Sequence, residues 1–268
     1  GFSGGDPVMP NERRLRVGLV LISGASAGAR GTAGTETVAL QQFGRLGEAV
    51  DLDLITDRDL HPGLVRLATR VHRLPVRTVR GVATFVPRLT AHLRRTRYDV
   101  VLSEGPVPVD VMTALACRAA GATHLVRRHV LVGHIAGSPW KRRVYRLADR
   151  VPRVCGSRYI YLTDAQRAAE GRPERDGVIP NGVDLGGFTA SVPDGVRPLT
   201  IGMAAQFIPA KDWPAFLDVV AQLRQRVPGA RAIALGDGPL RAETMARAER
   251  MGLGGAIEFP GNVADVCR

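Results

Sequence analysis

Short apolar runs alternate with segments of helical period along nearly the whole chain, and this alternation restricts the fold more than any other feature. The run from Arg16 to Ser23 reads as a buried strand, followed by a glycine-rich loop and a helix from about Thr35 to Gly47. Val50 to Asp57 alternates like a strand, and helix-period residues run from about Val82 to Arg97. Asp99 to Ser103 is a predicted strand, Val109 to Ala120 a helix, and Thr123 to Arg128 a strand. Trp140 to Ala148 and Ser157 to Glu170 read as helices, with Val151 to Gly156 as a short strand between them. Such repetition predicts a parallel sheet covered by helices on both faces.

From Asp184 to Arg197 the periodicity stops and Gly, Pro and Ser dominate, as in an interdomain connection. The alternation then restarts: strand Thr200 to Ala205, helix Pro214 to Val227, strand Ala230 to Leu235, helix Leu240 to Met251, strand Ile257 to Phe259. The expected fold class is therefore α/β with two doubly wound, Rossmann-like parallel-sheet domains. The expected organisation is a flexible lead-in over 1–14, a first domain over 15–183, a linker over 184–198 and a second domain over 199–268. A doubly wound domain takes roughly 120–150 residues, so the second is expected to be incomplete, with an exposed sheet edge. On the same argument the complete chain would be longer by roughly 60–100 residues.

Composition narrows the function classes. No apolar run approaches the ~20 residues of a spanning helix, and the N-terminal stretch has no apolar core of a secretory signal. Met9 would serve as a natural start. Cys117, Cys155 and Cys267 are scattered and odd in number, matching neither a disulfide framework nor a metal site, which points to a reducing cytoplasm. The net charge is +12, and residues 199–268 carry eight basic and seven acidic side chains, so residues 1–198 hold +11 of it. That excess suits phosphates, an anionic membrane surface or nucleic acid, and equally a solvated face with no partner. No aromatic or helix-turn-helix signature accompanies it, so nucleic acid is not the expected partner.

Between Ser23 and Val38 the first strand delivers the chain into a glycine-rich turn whose amides and following helix start favour an anion. Gly24, Ser26 and Gly28 match the spacing of a nucleophile elbow, but Ala29 to Gly34 separate them from the helix, which weakens a hydrolase reading. Neither a dinucleotide glycine fingerprint nor a P-loop is present. His129 follows the strand that ends at Arg128, at a strand C-terminus, where doubly wound folds place ligands. His134 is its rival in the same loop, and Arg127 and Arg128 offer charge to an anionic acceptor.

Two segments carry a more specific signal. Val178 to Asp184 reads VIPNGVD, followed by Phe188, and from Thr200 the chain reads TIGMAAQF, then IPAKDW, then, after a helix, ALGDGPL. Together they resemble the hinge and donor-domain start of glycosyltransferase family 4, the retaining enzymes with two Rossmann-like domains (the GT-B architecture). The resemblance is strong from residue 178 onward and diffuse before it. It implies transfer of a sugar from a nucleotide-diphosphate sugar to an acceptor hydroxyl, with no metal and no cofactor. It sets the donor diphosphate between the loop at Gly34, Thr35 and Glu36 and the ammonium of Lys211. Gln206 stands where the family usually has Arg, and Ala33 where it has the first glycine of the loop. Phe259, Gly261, Asn262 and Val263 match the nucleobase wall, and His129 matches a catalytic-site histidine near the transferred sugar. Asp237 is expected to cap the next helix, and Asn181 and Asp184 to hold the hinge turn by side-chain-to-backbone bonds. Two family glutamates that contact the donor would lie beyond Arg268. Alternatives are a nucleotide-sugar epimerase of the same architecture and an inactive, truncated binding fragment. A lipid-linked or membrane-surface acceptor, met at the inner face of the membrane, matches the basic first half.

Overall fold

The computed structural model describes residues 13–22, 34–76, 79–132, 138–182 and 198–263. The chain divides into two compact units, Gly1–Val183 and Asp184–Arg268, each considered by itself.

The first unit is built on seven parallel strands: β1 (Leu15–Leu21), β2 (Val50–Thr56), β3 (Arg70–Arg73), β4 (Val100–Ser103), β5 (His124–Arg128), β6 (Arg158–Tyr161) and β7 (Gly177–Val178). Their order across the sheet is β3-β2-β1-β4-β5-β6-β7, with the reversal of direction between β1 and β4. Period-two alternation in β1 sends Val17, Leu19 and Leu21 to one face and Val20, with Ile22 beyond it, to the other. The first set packs on Ala39 and Phe43 of α1 (Gly34–Leu46) and Leu64 of α2 (Pro62–Leu67). The second packs on Phe85, Leu89 and Leu93 of α3 (Val79–Thr96) and on Val109, Ala116 and Cys117 of α4 (Val107–Ala120). Gly18 leaves room for the Tyr98 ring, which a Cβ would meet at 3.2 Å. Gly121 ends α4 with φ of 71°, its N–H bonded to the Cys117 carbonyl.

The region after β5 corrects the sequence reading. Arg150–Val154 is a helix, α6, after α5 (Pro139–Ala148), where Val151 to Gly156 was expected to be a strand. The strand is β6, inside the predicted Ser157 to Glu170 helix, of which only α7 (Asp164–Glu170) is helical. The helical turn carries Arg153 inward, where it donates to Asp176 Oδ2 (3.1 Å), the Tyr161 hydroxyl (2.7 Å) and the Glu170 carbonyl (2.8 Å). Its guanidinium also lies 4.1 Å from the Tyr159 ring centroid. The helix α2 and the strand β3 were likewise unforeseen; β3 is a mostly exposed, polar edge strand with no apolar pattern to read.

The second unit holds three parallel strands among the described residues, in the order β10-β9-β8: β8 (Thr200–Ala204), β9 (Arg231–Leu235) and β10 (Ile257–Gly261). The helices α8 (Trp213–Arg226) and α9 (Arg241–Arg250) connect them. Trp213, Leu217 and Val220 of α8 pack with Ala232 and Ala234 of β9, Ala248 of α9 and Ile257 of β10 into a separate core. Phe207 stacks on Trp213 at 3.8 Å between ring centroids.

Candidate functional site

Parallel strands put all their C-terminal ends on one rim, so in each unit the loops leaving that rim are where side chains can converge. In the first unit the rim begins with β1, whose following residues 23–33 lie outside the description. The nucleophile-elbow residues Gly24, Ser26 and Gly28 therefore lie outside it, as do Ala33 and, further along, His134 and Asp184. Gly34 and Thr35 open α1. Glu36 turns inward: its side chain is buried, one oxygen 2.5 Å from Arg58 Nη2 and the other accepting from the His61 N–H at 2.7 Å. It thereby ties the start of α1 to the N-cap of α2, where the His61 ring accepts from the Gly63 N–H at 3.1 Å.

At the ends of β4 and β5, Glu104 and His129 meet, with His129 Nε2 3.3 Å from Glu104 Oε2. The imidazole is 20% exposed and the carboxylate fully buried, and Glu104 Oε1 has no hydrogen-bond partner among the described residues. An unpaired, buried carboxylate oxygen is costly unless something donates to it. Glu104 went unrecognised in the sequence, although an acidic residue directly after the buried run Val101 to Ser103 is a readable signal.

Arg127 and Arg128, expected to present charge outward, are both buried and engaged. Arg127 donates to Gln42 Oε1 and to Asn181 Oδ1 (3.1 Å). Burial lowers its pKa, and Glu104 opposes that shift. Asn181 thus ties the segment after β7 to a side chain on β5. Arg128 pairs with Asp110 Oδ2 at 3.2 Å and Asp149 Oδ1 at 2.5 Å. Burial pushes the Asp110 carboxyl upward against the pull of Arg128 and the Ser103 hydroxyl. This clamp fixes the residue immediately before His129.

In the second unit the ends of β8, β9 and β10 enclose a pocket of about 180 Å³ lined by Ala204, Ala205, Gln206, Leu235, Gly236, Asn262 and Val263. Its shape depends on glycine. A Cβ on Gly236, where φ is 126°, would sit 2.0 Å from the Ala205 carbonyl oxygen, and one on Gly238 would sit 2.7 Å from that of Phe207. The loops after β8 and β9 can therefore cross in contact. Backbone bonds secure them: Phe207 N–H to the Asp237 carbonyl (3.0 Å) and Gly236 N–H to the Gly261 carbonyl (2.8 Å). Asp237 does not cap α9 as expected; its Oδ1 accepts from the Gly238 N–H at 2.8 Å, and no side chain caps that helix.

The structure brings Gln206, Asn262 and Val263 together on this pocket, with Gly261 beside them. Phe259 turns its ring toward the core, 6.3 Å from Phe207, and its carbonyl accepts from Arg241 Nη2 at 2.8 Å. Lys211 ends a short 3₁₀ turn, Pro209–Lys211, and is exposed, in the loop that leaves Gln206 but not on the pocket lining. Asp212, at φ 50°, follows it and caps α8 by accepting from the Ala215 N–H at 3.3 Å. The Gln206 carbonyl accepts from Trp213 Nε1 at 3.0 Å, which pins this loop to the core.

A larger hollow of about 490 Å³, bordered by Arg94, Arg97, Tyr98 and Gly121, opens at the opposite edge of the first sheet, before β4 and β5. It lies away from the rim where loops and ligands converge in this topology. Among the described residues no group of three or more His, Cys, Asp or Glu side chains is placed to hold a metal ion. Cys117 and Cys155 are free thiols, and no helix there is long and apolar enough to cross a membrane.

Comparison with known proteins agrees with this architecture. The solved HepE of Anabaena, in complex with UDP-glucose, superposes with a TM-score of 0.74 at 19% identity, covering 95% of this chain and 71% of that one. WaaG, a glycosyltransferase involved in lipopolysaccharide biosynthesis, superposes at 0.65 with 15% identity over 94% of this chain and 71% of its own. Both likenesses concern the fold, two Rossmann-like units of the GT-B type. A Vi polysaccharide biosynthesis protein, VipC/TviE of Salmonella typhi, is 40% identical over 67 residues, which are 25% of this chain and only 12% of that protein. The family match itself falls mainly on the first unit, where the resemblance read from the sequence was diffuse. With residues 32–186 matching Glycosyltransferase Family 4, over half of its length, the chain belongs to that family.

Proposed function

We propose that this protein transfers a sugar from a nucleotide-diphosphate sugar to an acceptor hydroxyl with retention of anomeric configuration. The observation that carries the reading is the pocket at the ends of β8, β9 and β10, held open by Gly236 and bordered by Gln206, Asn262 and Val263, in a chain of this family. Backbone groups at such a rim can hydrogen-bond a base edge without a distinctive side chain. Gly261, Asn262 and Val263 take that role, with Phe259 supporting them from behind.

The acceptor oxygen forms the new bond to the anomeric carbon as the bond to the donor diphosphate breaks, and the acceptor proton passes to the departing diphosphate oxygen. The departing diphosphate gains negative charge, which an ammonium stabilises. Lys211 supplies it; Gln206, beside it in the same loop, offers a neutral hydrogen bond. Gly34 and Thr35, at the positive end of α1, suit a phosphate, while Glu36 braces that helix start. His129, held by Glu104, orients the sugar or the acceptor hydroxyl. The chemistry requires no metal or cofactor on this reading.

Calorimetric titration with UDP and UDP-glucose, the ligands seen with HepE, tests it directly. Lys211→Ala should weaken binding roughly 10–100-fold, the worth of one charge-assisted contact, while leaving the circular dichroism spectrum intact. Unchanged affinity would remove Lys211 from the site, and failure of nucleoside diphosphates of every base to bind would remove the reading itself. Anomeric proton couplings in the transfer product report retention.

A further inference from the structure

An amphipathic helix in a globular protein normally turns its apolar stripe inward. The helix α5 does the reverse. It has no buried residue, and it lies beside α4 and α6 with Arg142, Tyr145 and Ala148 as its least exposed positions. Trp140, Val144 and Leu147 fall at i, i+4 and i+7 on the outer side, with Trp140 72% and Leu147 55% exposed. Val154, on α6, adds a further apolar side chain at 84% exposure.

The charge on this face has one sign. Lys141, Arg143, Arg146 and Arg150 are its cations, and the single carboxylate in the segment, Asp149, is turned inward to Arg128 and the Tyr159 hydroxyl. On α5, 100° per residue sets Arg143 and Arg146 along one flank of the apolar stripe and Lys141 along the other, and the exposed Arg150 opens α6 just beyond. Trp at the level of lipid headgroups, aliphatic side chains below it and arginines beside it is the pattern of a helix lying in a membrane interface. A protein partner would more often be met by a mixed-charge rim.

We propose that α5, together with Val154, is a docking face for an anionic lipid bilayer, with Trp140, Val144 and Leu147 entering the interface and Arg143, Arg146 and Arg150 meeting lipid phosphates. The face bears on where the acceptor is met, but it operates without donor or turnover, so it can fail independently of the transfer reading.

The test is co-sedimentation of the protein with vesicles of phosphatidylglycerol in phosphatidylcholine, against vesicles of phosphatidylcholine alone, with tryptophan emission followed in parallel. Trp213 is buried, 1% exposed, so a blue shift on binding reports Trp140. Binding to the anionic vesicles alone is expected, weakened by salt, with a blue shift that Trp140→Phe abolishes. Arg143→Gln with Arg146→Gln should weaken binding about fivefold per residue, and Trp140→Glu with Leu147→Glu should abolish it; all four positions are exposed, so the fold should survive. Equal binding to both vesicle types, or binding indifferent to these changes, overturns the proposal. So does concentration-dependent self-association in solution that Trp140→Glu eliminates, because the face would then join two copies of the chain.

Discussion

His124 shows how a single side chain ties charge to stability in the first unit. Ser103 donates its hydroxyl to Asp110 Oδ1 at 2.7 Å, so the Ser103 oxygen can only accept from His124 Nε2, 3.1 Å away. The ring is then the neutral Nε2–H form, and Nδ1 accepts from the Ser157 hydroxyl at 2.8 Å. Burial lowers its pKa from 6.5 to about 4. A group depressed on folding takes up its proton in the unfolded chain first, so stability is full above pH 6.5 and declines as pH falls toward 4. Denaturant unfolding at pH 5 should therefore yield about 2 kcal/mol less stability than at pH 8 from His124. His92, lowered to about 4 mainly by burial and next by His72, acts in the same direction, with a smaller effect because it is half-buried. His124→Asn should flatten the pH profile even if it lowers stability throughout. At this scale Gln206, Asn262 and Val263 could be singled out because they sit in contiguous motifs, and the structure sets all three on one pocket, whereas Lys211 lies off its lining. Glu104 could be read only as an acidic residue at a strand end; its pairing with His129, 25 positions away, is made by the fold.

Among the elements, α8 begins in a way that can be measured. Asp212 adopts φ 50°, a backbone region that side chains enter at a cost and Asp or Asn tolerate best, and its carboxylate also caps the helix. Asp212→Ala loses the cap and keeps the strain, and should destabilise the second unit by about 1 kcal/mol. Asp212→Gly should cost less, because glycine relieves the strain; equal losses in chemical denaturation would show that the cap alone matters. The strands β1, β2, β4, β5, β8 and β9 and the long helices between them were readable, because one dominant period fixed each. The α6–β6 stretch was not. Val151 and Val154 fit either period, and what decides is the long-range pairing of Arg153 with Asp176, 23 positions on. Likewise Arg158-Tyr-Ile-Tyr161 carries the aromatic and β-branched residues of a strand, but too few of them to outweigh the helical residues after it.

For the whole molecule, the decisive fact is that each unit has its own hydrophobic interior, a cluster on either face of the first sheet and a separate one in the second unit. Thermal or urea unfolding should therefore show two transitions, with tryptophan emission following the second unit through Trp213 and far-ultraviolet dichroism following both. Coincident transitions in both signals would show that the two cores melt as one. The division was visible in the sequence as a break in periodicity, whereas how the rim loops are fastened depends on contacts no pattern encodes. The indole of Trp213 is one such fastening. Its ring is buried in the second core, stacked on Phe207, while its N–H donates to the backbone carbonyl of Gln206 at the pocket. Interior packing and the pose of the segment bearing Lys211 are thus governed by the same side chain. Loosening of the interior should therefore shift that segment before the unit melts, and on the proposed reading this would be measured as weaker nucleotide binding.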